Sequence, residues 1–239
     1  MIDYSNFDWG WMDEPSDYII QVSSGEIYSV GEFHKKGMIS EIFVNSNYER
    51  FREVKEGDIV VDIGASVGPF TYSILHKKPK HVFCLEPSER EFKTLLKNTI
   101  GNPVTQINKG ISYKNSIVDS DMLFGGETQM ESITFKKFVE LYNLDKINFL
   151  KTDCEGGEYH MFTEENIDYL LNNVDYISGE WHLSSVEEKN LFRNFRDNIL
   201  IKFRFYEVFS VDGVDIKWDL FNEHFIEYYK QVIFYIKNK

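Results

Sequence analysis

The chain has 239 residues, 26 of them Lys or Arg and 39 Asp or Glu, for a formal net charge of −13. That length suits one α/β domain with a sizeable core, and that charge opposes the counterion release behind most nucleic-acid binding, so no nucleic-acid substrate is expected. No apolar run approaches the ~20 residues of a membrane span, and the N-terminal MIDYSNFDWGWMDEP is acidic where a secretion signal would be basic and then apolar, so a cytoplasmic protein without a transmembrane segment is expected.

Residues 1–54 carry extended-looking runs at 18–22, 26–30 and 39–44 between Ser, Gly and Lys turns, which predicts an N-terminal β appendage packed on a single core formed by 55–239. The chain is organised around 58–75, DIVVDIGASVGPFTYSIL. A β-branched run leads to Asp62, Gly64 and Gly68 permit a tight turn, and Pro69 suits a first helical position, so a buried strand, a ligand-facing loop and a helix are expected. Residues 81–85 form a second strand ending on Glu86-Pro87, and Ser88 with Glu91 forms a capping box for the next helix. A strand at 104–107 and an irregular or hairpin-like stretch at 110–126 follow. Beyond them come a helix at 134–142, a strand at 147–152, a helix at 158–171 and a strand at 174–178, then a helix at 185–198. Strand 201–209, helix 219–230 and strand 232–236 end the chain. The alternation predicts a Rossmann-like α/β fold, a mostly parallel doubly wound sheet with an antiparallel strand at one edge and ligands at the strands' carboxyl ends. Cys84 and Cys154 sit in apolar runs without zinc-ligand spacing and read as free thiols.

Glu86 lies 24 positions after Asp62, where an acid bonds the ribose hydroxyls of adenosine cofactors. Both NAD and S-adenosylmethionine (SAM) fit that geometry. The loop lacks the third glycine of G-x-G-x-x-G, and no Lys or Arg lies between Asp62 and Leu75 to meet a pyrophosphate. Asp62, Asp153, Glu155 and Glu158 around the expected pocket favour a cationic ligand instead.

DIGASVG, LEP at 85–87 and KTDCEGGE at 151–158 resemble the FkbM family of SAM-dependent methyltransferases, whose usual forms are DIGANIG, FEP and KIDVEGAE. Tyr48-Glu49 and Glu180-Trp181-His182 match a YE pair and an E-x-H commonly found there, while Ser66 for Asn and Gly157 for Ala depart from the pattern. The resemblance implies a class I methyltransferase fold and O-methylation, often of sugars or natural products. It makes Asp62, Gly64, Ala65, Ser66, Gly68 and Glu86 cofactor residues, with Phe70, Pro87 and Asp153 in the same candidate set. Tyr48 and Glu49 would close over the methionine portion.

Asp153 ends a parallel strand beside the first, so it can face the cofactor while Glu155 or Glu158 reaches the acceptor. Asp153, Glu155, Glu180 and His182 are the candidate catalytic residues, converging in one mouth. His182 is either a general base for an acceptor hydroxyl or, with Asp153 and Glu180, a ligand of a divalent cation that lowers the acceptor's pKa. Of the aromatic residues, Trp181 alone is placed to meet a substrate, and packing within a loop is the alternative reading of it. The favoured reading is SAM-dependent O-methyl transfer to a small-molecule or glycan acceptor. A nicotinamide-dependent oxidoreductase and a nucleotide-binding scaffold without turnover are the alternatives.

Overall fold

The computed structural model describes residues 2–115, 117–119 and 129–239. A hairpin of β1 (Ile19–Gln21) and β2 (Ile27–Ser29) comes first, and the Ser29 hydroxyl, accepting from Glu32 N, caps α1 (Val30–Met38). Segment 39–44, expected as a strand, instead continues α1 as a wider π-type turn, Ile39–Val44. Met38, Ile39, Ile42 and Phe43 recur at helical steps and so pack on one face of the core, which alternation along a strand would have prevented.

The central motif forms as expected, with β3 (Ile59–Ile63), α2 (Pro69–Ile74) and β4 (His81–Leu85). Ser88 caps α3 (Glu89–Thr99), but its own N–H goes to Glu86 Oε1 while Glu91 accepts from Trp11 Nε1, so the cap differs from the expected box. β5 (Val104–Ile107) closes the sheet on this side. The stretch 110–126 lies partly outside the described residues; β6 (Gly110–Ile111) and β7 (Ile117–Asp119) form a small separate sheet with β8 (Gln129–Ile133).

Next come α4 (Phe135–Leu141), β9 (Phe149–Thr152), α5 (Ile167–Asn173), β10 (Tyr176–His182) and α6 (Val186–Asn198), the last with a full capping box between Ser185 and Glu188. β11 (Tyr206–Phe209), α7 (Glu223–Tyr228) and β12 (Gln231–Lys237) complete the chain. The expected helix at 158–171 is two pieces, a 3₁₀ turn Gly157–His160 and α5, and both β11 and α7 are shorter than their predicted runs.

The seven-stranded sheet has the order β11-β12-β10-β9-β3-β4-β5. β10, β9, β3, β4 and β5 are parallel, and β12 runs antiparallel to both its neighbours, one place in from the edge. Period-2 alternation divides the core between the two faces: Val61, Ile63 and Leu150 pack one way, Val60, Val82 and Phe149 the other. Phe7, Trp9 and Met12 join the second face, so the N-terminal segment shares that core. No helix of the described residues is long and apolar enough to cross a membrane.

Candidate active site

β3 ends beneath the glycine loop on a buried ion pair. Asp62 and Lys151 are register partners on adjacent strands, both buried, with Lys151 Nζ 3.2 Å from Asp62 Oδ1. The ammonium also donates to Gly64 O (2.6 Å) and Ile63 O (3.4 Å), and Thr71 Oγ1 donates to Asp62 Oδ2 at 2.8 Å. Asp62 therefore supports the loop from below, and its carboxylate is spent on these internal partners. Gly64 has φ +73°, and a Cβ there would lie 1.7 Å from Asp153 O, which binds the loop closely to the end of β9. Gly68, at φ +91°, opens α2. Ala65 and Phe70 are buried, Phe70 stacking on Phe149 at 5.6 Å.

Ser66, also left-handed at φ +50°, turns its N–H to Glu86 Oε2 at 2.8 Å, and its hydroxyl is buried without a partner. Ser88 N donates to Glu86 Oε1 at 2.8 Å, and Asn108 Nδ2 donates to the carbonyls of Glu86 and Pro87. Each Glu86 oxygen keeps lone-pair capacity for a diol. Burial, with Glu91 nearby, pushes the Glu86 carboxyl up to about 8. Because that folded value exceeds the ordinary 4.5, the group's stabilisation is present at low pH and is lost as pH rises toward about 8. Glu86→Gln is accordingly expected to remove a stability loss of up to about 1.4 kcal/mol per pH unit in this window, read by urea denaturation from pH 5 to 8. The same variant should weaken S-adenosylhomocysteine binding at least about tenfold in calorimetry, since an amide accepts through one oxygen only.

β10 runs two turns of the pleat further than the sequence reading, because β12 pairs with it through Glu180, Trp181 and His182. Glu180 and His182 thus face one side and Trp181 the other. Trp181 is fully buried and stacks on Phe234 at 4.2 Å, so it is a core residue and not a substrate contact. His182 is anchored by Glu158, which is itself fully buried: Oε1 accepts from His182 N and lies 2.8 Å from Nδ1, and Oε2 accepts from Gly156 N at 2.9 Å. Glu158 therefore does not reach an acceptor.

On its other side, His182 Nε2 faces Glu155 Oε2 at 3.6 Å, Asp153 Oδ1 at 3.7 Å and Glu180 Oε2 at 3.8 Å. Ligand atoms of Asp153, Glu180 and His182 lie within 4.8 Å of one another, a spacing that can hold a metal ion. Burial pulls the imidazole down, but Glu158 against Nδ1, with Asp153 and Glu155 beyond Nε2, pushes it up to about 11. Glu155 stands exposed at the lip, held in the left-handed region at φ +52°. Tyr48 is buried and donates to Asp153 Oδ2 at 2.8 Å. Its neighbour Glu49 accepts from Val54 N and pairs with Lys77, so it anchors the chain and does not cover the site. The cysteines are both free, Cys84 buried and Cys154 half-buried.

Two residues of this site were not anticipated. Lys151 is a charge inside an otherwise apolar strand, a pattern that itself demands a buried partner. Glu41 reaches the mouth from the π-type turn, beside Glu180, Tyr48 and Asp153, and its signal was the helical spacing of the apolar residues around it. The donor set fits SAM: an acid at the second strand end, an unpartnered Ser66 hydroxyl in the loop, and carboxylates at the ends of β9 and β10 that suit a cationic ligand.

Among solved structures the fold is similar to that of a fibrillarin/Nop5p complex, at a TM-score of 0.51 and 12% identity, covering 94% of this chain and 90% of that one. Aeropyrum pernix fibrillarin with natively bound S-adenosyl-L-methionine gives a TM-score of 0.49 at 12% identity over 95% and 86% of the two chains. An rRNA methylase from Streptococcus thermophilus gives 0.45 at 10% identity over 87% and 96%. At such identities the likeness speaks to fold alone, a class I Rossmann-like methyltransferase sheet. No curated protein matches the chain. The family model described as the methyltransferase FkbM domain matches residues 62–208, more than half of the chain and the whole span from the glycine loop through His182, and the chain belongs to the FkbM family of SAM-dependent methyltransferases.

Proposed function

We propose that this enzyme methylates a hydroxyl of a small acceptor, a sugar or glycoconjugate, with residues 55–239 as the catalytic domain and 1–54 as an appendage that completes its mouth. The observation that carries this reading is the ring of Asp153, Glu155 and Glu180 around His182 Nε2 at 3.6–3.8 Å. Carboxylates accept hydrogen bonds from a polyhydroxylated acceptor and repel a polyanion, in keeping with the formal charge of −13.

SAM, when bound, supplies the activated methyl group and departs as a neutral thioether, so the site needs no oxyanion hole. Glu86, the loop 64–68 and Asp153 hold and orient it. The acceptor hydroxyl must lie in line with the methyl carbon, and its proton must leave to a basic group as the new bond forms. The convergence of Asp153, Glu180 and His182 Nε2, with ligand atoms within 4.8 Å of one another, favours the other role for this cluster. A divalent cation bound by Asp153, Glu180 and His182 Nε2 would displace that proton and lower the acceptor's pKa, while Glu158 keeps the Nδ1–H.

The test is transfer from methyl-labelled SAM to a panel of neutral sugars, sugar phosphates, peptides and RNA oligonucleotides, with manganese or with chelator. An alkali-stable ether methyl on a sugar, formed with manganese and lost with chelator, is the expected result. Label confined to peptide nitrogen or to RNA would overturn the acceptor assignment, and equal transfer with chelator would overturn the cation.

A further inference from the structure

Gln231 opens β12, beyond the span 62–208 matched by the family model, and is the register partner of His182. Pairing and the alternation along β10 put its side chain on the same face as His182 and Glu180, at the mouth. Gln231 is exposed whereas Glu180 is buried, and Gln231 Nε2 donates to Glu180 Oε2 at 2.9 Å. That same oxygen faces His182 Nε2 at 3.8 Å. The two strands do not need this bond. Their backbone pairing already runs from Tyr176↔Lys237 to His182↔Gln231, and Leu183 N donates to Lys230 O just past it. Water would satisfy an exposed amide in any case, so the consequence of the bond falls on the buried carboxylate.

His182 Nε2 stands 3.7 Å from Asp153 Oδ1 and 3.8 Å from Glu180 Oε2, too long for hydrogen bonds. Ligands about 2.1 Å from one octahedral ion are separated from each other by about 3–4 Å, which these atoms nearly match. Glu180 belongs to that set only while Oε2 points at Nε2, and a glutamate side chain has several rotatable bonds through which to turn away. The Gln231 amide holds it in place. Being neutral, it does so without cancelling the charge a cation needs, and the same carboxylate oxygen keeps a second lone pair for the ion. A lysine there would offer its own charge in the cation's stead. We propose that Gln231 is a positioning residue of the cation site, fixing Glu180 Oε2 toward His182 Nε2 so that Asp153, Glu180 and His182 are set for one divalent ion before it arrives. This rests on the cation reading above and adds to it the residue that orients one of the ligands.

The experiment uses Mn²⁺ alone, with no SAM or acceptor, on the full chain, free Mn²⁺ being counted by electron paramagnetic resonance. Binding of one Mn²⁺ by the wild type is expected. Gln231→Met, which keeps the length of the side chain and removes the donor, is expected to bind Mn²⁺ at least about tenfold more weakly, with an unchanged urea midpoint and unchanged affinity for S-adenosylhomocysteine. Gln231→Lys, which keeps a donor but brings a charge, should also bind more weakly, and Gln231→Asn, an amide one methylene short, should fall between wild type and Gln231→Met. Wild-type Mn²⁺ affinity in Gln231→Met would overturn the role of Gln231 and leave the cation standing. A loss of Mn²⁺ affinity matched by a lowered urea midpoint and weaker S-adenosylhomocysteine binding would make Gln231 a tie at the strand end only, and would overturn it too. Should Gln231→Met fail to fold by circular dichroism, Gln231→Lys carries the comparison, and wild-type Mn²⁺ affinity in it would sink the proposal. A wild type that binds no Mn²⁺ would remove the cation reading and Gln231 with it.

Discussion

Glu158→Gln is expected to lower methyl-transfer turnover by roughly 10–100-fold, although Glu158 is fully buried and touches neither acceptor nor cofactor. The carboxylate performs three tasks with two oxygens: it accepts from His182 N, fixes His182 Nδ1, and accepts from Gly156 N. An amide of the same shape has one acceptor oxygen, so its NH₂ must confront a backbone N–H, and one buried donor goes unmet at a cost of about 1–3 kcal/mol. The electrostatic consequence is separable from that loss. Glu158 is the leading charge that lifts His182 to about 11, against burial, so in the variant the imidazole titrates closer to its ordinary value of 6.5. Nuclear magnetic resonance of the imidazole would read that change directly. A variant with reduced stability, an unshifted His182 titration and unchanged turnover would show that Glu158 is only structural. Glu158→Asp, retaining the charge, should recover part of the turnover.

The parts of this site that were legible in the sequence are those written locally. The strand, glycine turn and helix around Asp62 and Gly68 are specified by residues adjacent in the chain, and the acid at Glu86 follows from a fixed βαβ length. The convergence of Asp153, Glu180 and His182 followed once parallel strands were inferred, because strand ends share one edge. What escaped was set by partners distant in sequence. Trp181 looked like a loop residue because strand β10 extends only by pairing with β12, whose residues come some fifty positions later. The pleat then sends it into the core and keeps Glu180 and His182 in the mouth. Asp62 read as a ligand-facing acid, and its occupation by Lys151 depends on register across two strands. Glu41 was hidden by reading 39–44 as extended, although Met38, Ile39, Ile42 and Phe43 carry the helical step.

Lys151→Met is expected to be among the most damaging single changes to the fold, destabilising it by about 3–5 kcal/mol in urea denaturation. The methionine matches the lysine stem in length and packs well, so the penalty isolates the charge. Without it Asp62, fully buried, keeps one hydrogen bond from Thr71 and faces no cation, and the carbonyls of Gly64 and Ile63 lose their donor. The contact to Asp62 Oδ1 at 3.2 Å is an ion pair, while the ammonium donates to the loop carbonyls of Gly64 and Ile63. Much of the cost is therefore an uncompensated carboxylate, not a lost bond. Combining Lys151→Met with Asp62→Asn removes that charge while the amide oxygen still accepts from Thr71, and the double variant is expected to regain at least about half of the lost stability. If the two changes add instead, the pair is not coupled and the argument from desolvation fails. The double variant should still bind S-adenosylhomocysteine weakly, because Gly64 O remains without the ammonium that ties the loop to β9. Stability and cofactor affinity thus part company at Lys151, the residue that joins the core of the sheet to its glycine loop.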